Sequence, residues 1–328
     1  MSNDVSRRKF LERIAVGGAA GASLPLWSNL AAGKARTLPH RTLGRTGAKV
    51  SILAFGGGSR FLMYGDEEKG AEALNHALDL GITYVDTAYE YGNGKSETWV
   101  GKVMATRRKE VWLATKIPDR KRDDFLKRLE GSLKRLQTDH VDLLHIHDLR
   151  HADDLARIEA PDGALQGLLQ AKEQKMARAI GMSCHTDGAV LAQAIERHPL
   201  DCVQMALNAT GTGEFEKTAL AAANRKGLGV IAMKVFGQEF LIGTAGGKMD
   251  VDTLLQFAMS LPVTAAVAGM PQIEMLEHNV ELARHFKPYS AAKMDQLRRD
   301  MGVLHDDMQH HLVGHVDAPT AHGGGEWA

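Results

Sequence analysis

Eight short apolar runs, each followed by a stretch whose apolar residues recur at helical spacing, limit how this chain can fold more than any other feature. The runs are Val50–Phe55, Thr83–Asp86, Val111–Lys116, Val141–His147, Ala179–Ser183, Cys202–Leu207, Gly229–Met233 and Ala265–Ala268. Helical patterns among them include Glu67–Leu80, Asp123–Leu136, Leu165–Gln174, Asp187–Arg197, Phe215–Lys226, Asp250–Leu261 and Ile273–Phe286. Strands joined by helical crossovers predict a parallel sheet, and eight such units predict closure into an α/β barrel of the (β/α)8 kind. A chain of 328 residues holds one barrel of about 250 residues with segments left over at both ends. No Pro-rich or Ser-rich linker breaks residues 36–288, which are expected to form a single domain. At its start, RTLGRTGAKV reads as a hairpin, with Gly44 and Gly47 flanking the turn.

Four polar residues end or follow these runs: Asp86, Tyr91, Lys116 and His147. In a parallel barrel successive strand ends meet on one rim, so the four are expected to share a pocket. The quartet suits proton donation to a carbonyl oxygen. A free phenol has a pKa of about 10 and is a poor acid at neutral pH, but an ammonium roughly 4–6 Å away stabilises the phenolate. Asp86 would hold Lys116 in place, His147 would orient the carbonyl, and Tyr91 would be the general acid. None of these groups supplies a hydride, so the scheme requires a nicotinamide cofactor.

Side chains alternate along a strand. Trp112, Ala114 and Lys116 therefore share one face, as do Leu143, His145 and His147. His145 is expected inside the barrel, one layer below His147, as a buried neutral imidazole. The pair His145-x-His147 also fits a metal-dependent barrel hydrolase, although no aspartate stands on the eighth run.

The stretches GITYVDTAYEYGNGKSE, VWLATK and VDLLHIHD, in this order, resemble the aldo-keto reductase family from about Arg41 to about Phe286. The resemblance implies a (β/α)8 TIM barrel and an Asp-Tyr-Lys-His tetrad at Asp86, Tyr91, Lys116 and His147. It further implies NADPH or NADH as cofactor and a small-molecule carbonyl substrate. GMSCHTD and DCVQMALN are similar to the family segments that hold the nicotinamide carboxamide, which places Ser183 and Gln204 there, with Cys184 where relatives have asparagine. GVIAMKVFGQ places Met233 against the nicotinamide ring and Lys234, Phe236 and Gly237 along the pyrophosphate. Gly57 and Gly58, after the first run, Asp86 itself, and Gly269 and Asn279 in AGMPQIEMLEHN complete the implied cofactor set. No lysine or arginine lies between Gly269 and Ala283. A 2′-phosphate would lack its usual partner there, so NADP preference is expected to be weakened.

Lysine plus arginine and aspartate plus glutamate number 40 each, and this balance gives no argument for binding nucleic acid or a membrane surface. Two cysteines, Cys184 and Cys202, are too few for a disulfide framework. The first 35 residues differ in character. Ser6-Arg7-Arg8-Lys9-Phe10-Leu11 and the broken apolar stretch after it resemble a twin-arginine export signal. That implies the twin-arginine machinery as a partner and a periplasmic destination. Residues 289–328 read as one or two helices and a flexible end, with His305, His310, His311, His315 and His322 on a solvated face and one wall of the pocket formed by the extension. A further wall is expected from Phe61-Leu62-Met63-Tyr64. A nucleotide-binding, redox-sensing barrel subunit, with Cys184 in the pocket, is the alternative to an enzyme.

Overall fold

A computed structural model describes residues 37–314. The twin-arginine pattern and the 1–35 leader lie outside the described residues, as do His315 and His322.

The hairpin forms where the glycines place it. Strands β1 (His40–Thr42) and β2 (Lys49–Ser51) pair antiparallel, and Gly47 closes the turn with a left-handed φ of 74°. The run Val50–Phe55 is not one strand, because Ile52 donates its N–H to the Pro39 carbonyl at 2.9 Å and turns the chain out of the hairpin. Eight parallel strands then close a barrel: β3 (Leu53–Gly56), β4 (Tyr84–Asp86), β5 (Trp112–Ile117), β6 (Val141–Ile146), β7 (Ala177–Cys184), β8 (Cys202–Ala206), β9 (Gly229–Met233) and β10 (Ala265–Ala268). Each pairs with its sequence neighbour, and β10 closes on β3.

Strand alternation divides the apolar residues into two cores. Inward-facing Ala54, Tyr84, Ala114, Leu143, Cys202, Ile231 and Ala265 pack together with Leu43 and Val50, so the hairpin plugs the barrel floor. A Cβ on Gly229 would sit 2.6 Å from Leu43 Cδ1, and only glycine leaves room for the plug. Outward-facing residues such as Phe55, Val85, Leu113, Leu144, Ile180 and Val203 pack against the helices in the larger core. This separation leaves the upper barrel, above the small inner core, to polar side chains.

The helix Lys95–Arg107 is absent from the sequence expectations, and its composition explains why. Ser96 and Glu97 are buried in its first turn, so its inward face is not a clean apolar stripe. The C-terminal segment forms two helices, Ala291–Met301 and His305–Gly314. Met308 packs on Gly237 and the His311 ring stacks on Phe240 with centroids 5.1 Å apart. These helices back the loop after β9 and do not themselves line the main cleft. The described part of the extension therefore stands one layer behind the cleft, and residues 315–328 lie outside the described residues. Among the described residues no helix is long and apolar enough to cross a membrane.

Candidate active site

The strand register places the polar quartet at one point. Asp86 is the last residue of β4, and Lys116 lies inward on β5, its neighbour. Lys116 is fully buried, and its Nζ donates to Asp86 Oδ2 at 2.7 Å, to the Thr87 carbonyl at 3.0 Å and to Tyr91 Oη at 3.0 Å. An ammonium has three N–H donors, and all three are matched here. Tyr91 Oη is an acceptor toward Lys116 and keeps its own proton to donate. His147 follows β6, and its ring meets the Tyr91 ring edge-on with centroids 5.9 Å apart. All four residues expected to meet do so.

One participant was not foreseen. Glu90, next to Tyr91 in the turn after β4, brings Oε2 to 2.7 Å from His147 Nδ1. Nothing in the sequence couples Glu90 to His147; the contact exists only because the barrel brings two strand ends together. Beneath them, His145 is fully buried on the inner face of β6, where Gly181 makes room: a Cβ there would lie 2.8 Å from the His145 ring. Burial, then the Lys116 and His147 charges, hold its imidazole pKa well below the ordinary value, so it is neutral. On the far side, burial pushes the Asp148 carboxyl up, but His185, His147 and Arg150 outweigh it and hold it below the usual range.

A cleft of about 760 Å³ runs from this centre across the barrel mouth. At one end it is lined by Gly58, Asp86, Tyr91, Gln204 and Met233, in the middle by Arg60, Lys234 and Phe236, and beyond Gly269 by Glu274, Met275 and Asn279. The fit to a dinucleotide rests on acceptors without partners. Asp86 Oδ1, Gln204 Oε1 and Asn279 Oδ1 are buried and unpaired, a state that costs free energy unless a ligand donates to them. Gln204 meanwhile donates to Asp86 Oδ2 at 3.2 Å, which fixes its amide orientation. Ser183 is buried on the same inward face as Gln204, and its hydroxyl accepts the Asp148 N–H at 3.0 Å.

Several expected contacts fall elsewhere. Cys184 pairs in register with Met205, one step from inward-facing Ser183, and packs in the outer core with its thiol on the Asp187 carbonyl. It cannot touch a carboxamide, and a redox role through it loses its basis. Gly57 is a packing glycine, since a Cβ there would sit 2.8 Å from the Asp86 carbonyl. Gly237, with φ of 55°, faces Met308 rather than the cleft. Phe61 is buried against Phe55 and Trp99, so that wall comes from Ser59 and Arg60 instead. Arg60 was missed. It crosses the cleft to Glu239 at 2.9 Å, and Gly269 leaves the space its side chain fills. Among the described residues no group of three or more histidine, cysteine, aspartate or glutamate side chains is placed to hold a metal.

Comparison with known proteins agrees with this geometry. The profile described as the Aldo/keto reductase family matches residues 53–253. L-Galactose dehydrogenase of Arabidopsis thaliana is 30% identical over 73% of this chain and 86% of its own. Aldo-keto reductase YhdN of Bacillus subtilis is 35% identical over 44% of this chain, and that match spans under half of YhdN, 47%. Among solved structures, an aldo-keto reductase from Klebsiella pneumoniae in complex with NADPH superposes with a TM-score of 0.68 at 21% identity, covering 81% of this chain and 96% of its own.

Proposed function

The chain belongs to the aldo/keto reductase family, and from that premise we propose that it is an NAD(P)H-dependent oxidoreductase reducing an aldehyde or ketone to an alcohol, or running the reverse, with Tyr91 as general acid. The observation that carries this reading is the buried Lys116 ammonium in contact with both the Asp86 carboxylate and the Tyr91 phenol. As the carbonyl oxygen gains charge, Tyr91 gives up its proton, and the cation 3.0 Å away stabilises the phenolate left behind. Asp86 keeps Lys116 in place, and His147 fixes the position of the carbonyl oxygen. A nicotinamide ring, when bound, supplies or accepts the hydride; Gln204, Ser183 and Met233 would hold it beside Tyr91, and Asn279 would take the adenine end. Tyr91→Phe should reduce turnover to below about a tenth while leaving nucleotide binding intact. A variant that keeps more activity than that refutes the mechanism.

The cleft beyond Gly269 supports weakened NADP preference. Its lining there offers Glu274 and no lysine or arginine, and His278 is paired with Asp252 at 2.5 Å. A 2′-phosphate would forgo charge-assisted hydrogen bonds worth about 1.5–3 kcal/mol each and would meet a carboxylate instead. Isothermal titration should find NADH bound at least as tightly as NADPH. NADPH tighter by roughly a hundredfold, about 2.7 kcal/mol, would exclude this. The Arg7-Arg8 pattern supports export by the twin-arginine route. Fusing residues 1–35 to a reporter active only outside the cytoplasm tests that, with Arg7→Lys plus Arg8→Lys abolishing the signal.

A further inference from the structure

We propose that the helix His305–Gly314 braces the loop after β9 and so sets how fast the nucleotide leaves, with Met308 and His311 as positioning residues that do not touch the ligand. The proposal rests on the nucleotide reading of the cleft for its ligand, and on packing for its premise. Lys234, Val235, Phe236, Gln238, Glu239 and Ile242 make one wall of the cleft. The residues among them turn the other way. Gly237 lies against Met308, where an added Cβ would stand 2.7 Å from Sδ. The Phe240 ring stacks on His311, with centroids 5.1 Å apart and planes at 25°. Leu241 is fully buried, its Cγ 2.8 Å from the same added Cβ on Gly237. One short loop therefore has a ligand face and a helix face.

The backbone of this loop needs outside support. Lys234, Gln238 and Glu239 have φ of 55°, 56° and 75°, a left-handed region that residues with a Cβ seldom adopt. Such conformations persist only where the surroundings over-determine them. The loop's own hydrogen bonds are local: Gly237 N–H on the Lys234 carbonyl at 2.9 Å, Leu241 N–H on the Phe236 carbonyl at 3.3 Å and Ile242 N–H on the Glu239 carbonyl at 3.0 Å. On the cleft side Arg60 holds Glu239. On the opposite side the restraint is the helix, and the helix is itself anchored. Leu304, Met308 and Leu312, four residues apart, form its buried stripe. Gln309 Nε2 donates to the Thr186 carbonyl at 3.2 Å, which ties the helix to the segment after β7. Just before the helix, Val303 meets Gly247, where an added Cβ would stand 2.7 Å from Cγ2. A wall already held in shape spares the ligand the cost of ordering it, and loosening the wall should show first in the rate of release.

The test compares full-length Met308→Ala and His311→Ala with the wild type and with Met308→Leu. Alanine at Met308 leaves a hole beneath Gly237, whereas leucine nearly keeps the volume. Stopped-flow fluorescence of bound NADH chased by excess NAD⁺ should show release at least about fivefold faster in both alanine variants. Met308→Leu should stay within about twofold of the wild type. Single-turnover hydride transfer at saturating NADH should change by less than about twofold, because the tetrad is untouched. Hydrogen exchange should quicken by about tenfold or more at the amides of residues 237–242, with those of β5 and β6 unchanged. A folded alanine variant that releases NADH at the wild-type rate overturns the proposal. So does a loop whose amides gain no more than those of β5 and β6, since the helix then serves global stability alone. Should Met308→Ala fail to fold, His311→Ala decides. A wild-type protein that binds no NADH is a different result, and it sinks the nucleotide reading of the cleft instead.

Discussion

Replacing Lys116 with methionine removes a buried cation and keeps most of the volume it fills. Its attraction to a phenolate 3.0 Å away is worth roughly 5 kcal/mol at an effective dielectric of about 20. Water in the adjoining cleft screens part of this, leaving about 3–5 kcal/mol of lost transition-state stabilisation. That corresponds to roughly two to four orders of magnitude in the chemical step. Folding suffers as well. Asp86 is left buried without its partner, which costs about 3–5 kcal/mol out of a total stability of roughly 5–15. The two effects separate in the double variant Asp86→Asn with Lys116→Met, which should regain most of the stability and only the part of the rate that the Asp86 charge itself had cost. Single-turnover stopped flow on nicotinamide absorbance measures the step, with nucleotide binding followed by fluorescence as the control for fold. Lys116 does not line the cleft, so binding should change little. A folded, nucleotide-bound Lys116→Met that loses less than about tenfold would refute the argument.

Two further outcomes follow from burial. The folded state keeps His145 neutral while the unfolded chain takes up its proton near pH 6.5. Stability from this residue is therefore present above about pH 6.5 and is lost as pH falls, by roughly 1.4 kcal/mol per unit. Urea midpoints at pH 7 and 5.5 should show a steeper loss for wild type than for His145→Asn, and equal losses would contradict it. Burial pushes the Cys184 thiol up to about 12 and raises Cys202 as well, so neither should react with iodoacetamide at pH 8 in the native protein and both should on unfolding.

What the sequence made legible is what strands carry. A period of two and a turn at each strand end were enough to put Asp86, Lys116 and His145 inside the barrel, and the inner core of Ala54, Tyr84, Ala114 and Leu143 follows the same rule. That rule also contained the correction at Cys184, since neighbours on a strand cannot both face inward and Ser183 already does. Other residues had no such signal. Glu90 and Arg60 sit on turns and loops, where no periodicity fixes direction, and each is identified only by a partner from a distant strand end, His147 and Glu239. Lys95–Arg107 was hidden for a different reason: a buried Glu97, held by Thr115 and Arg135, stands where an apolar residue would have revealed the helix.

The tetrad and the cleft make opposite demands on stability, and the difference can be measured. Lys116 has every donor matched within the protein itself, so the cation is fully held before a ligand arrives. The acceptors along the cleft are not matched. Asn279 is buried with Oδ1 unpaired, a state costing about 1–3 kcal/mol, and a nucleotide that donates there would relieve the strain. Asn279→Leu, similar in volume, removes the unpaired oxygen from the ligand-free protein. It should therefore raise the unfolding temperature without nucleotide, by a few degrees for about 1 kcal/mol, and shrink the further rise that NADH produces. Thermal unfolding with and without NADH reads both changes. If Asn279→Leu is less stable alone, or if NADH still raises its unfolding temperature as much as in the wild type, Asn279 packs the helix Ile273–Arg284 and does not bind the cofactor.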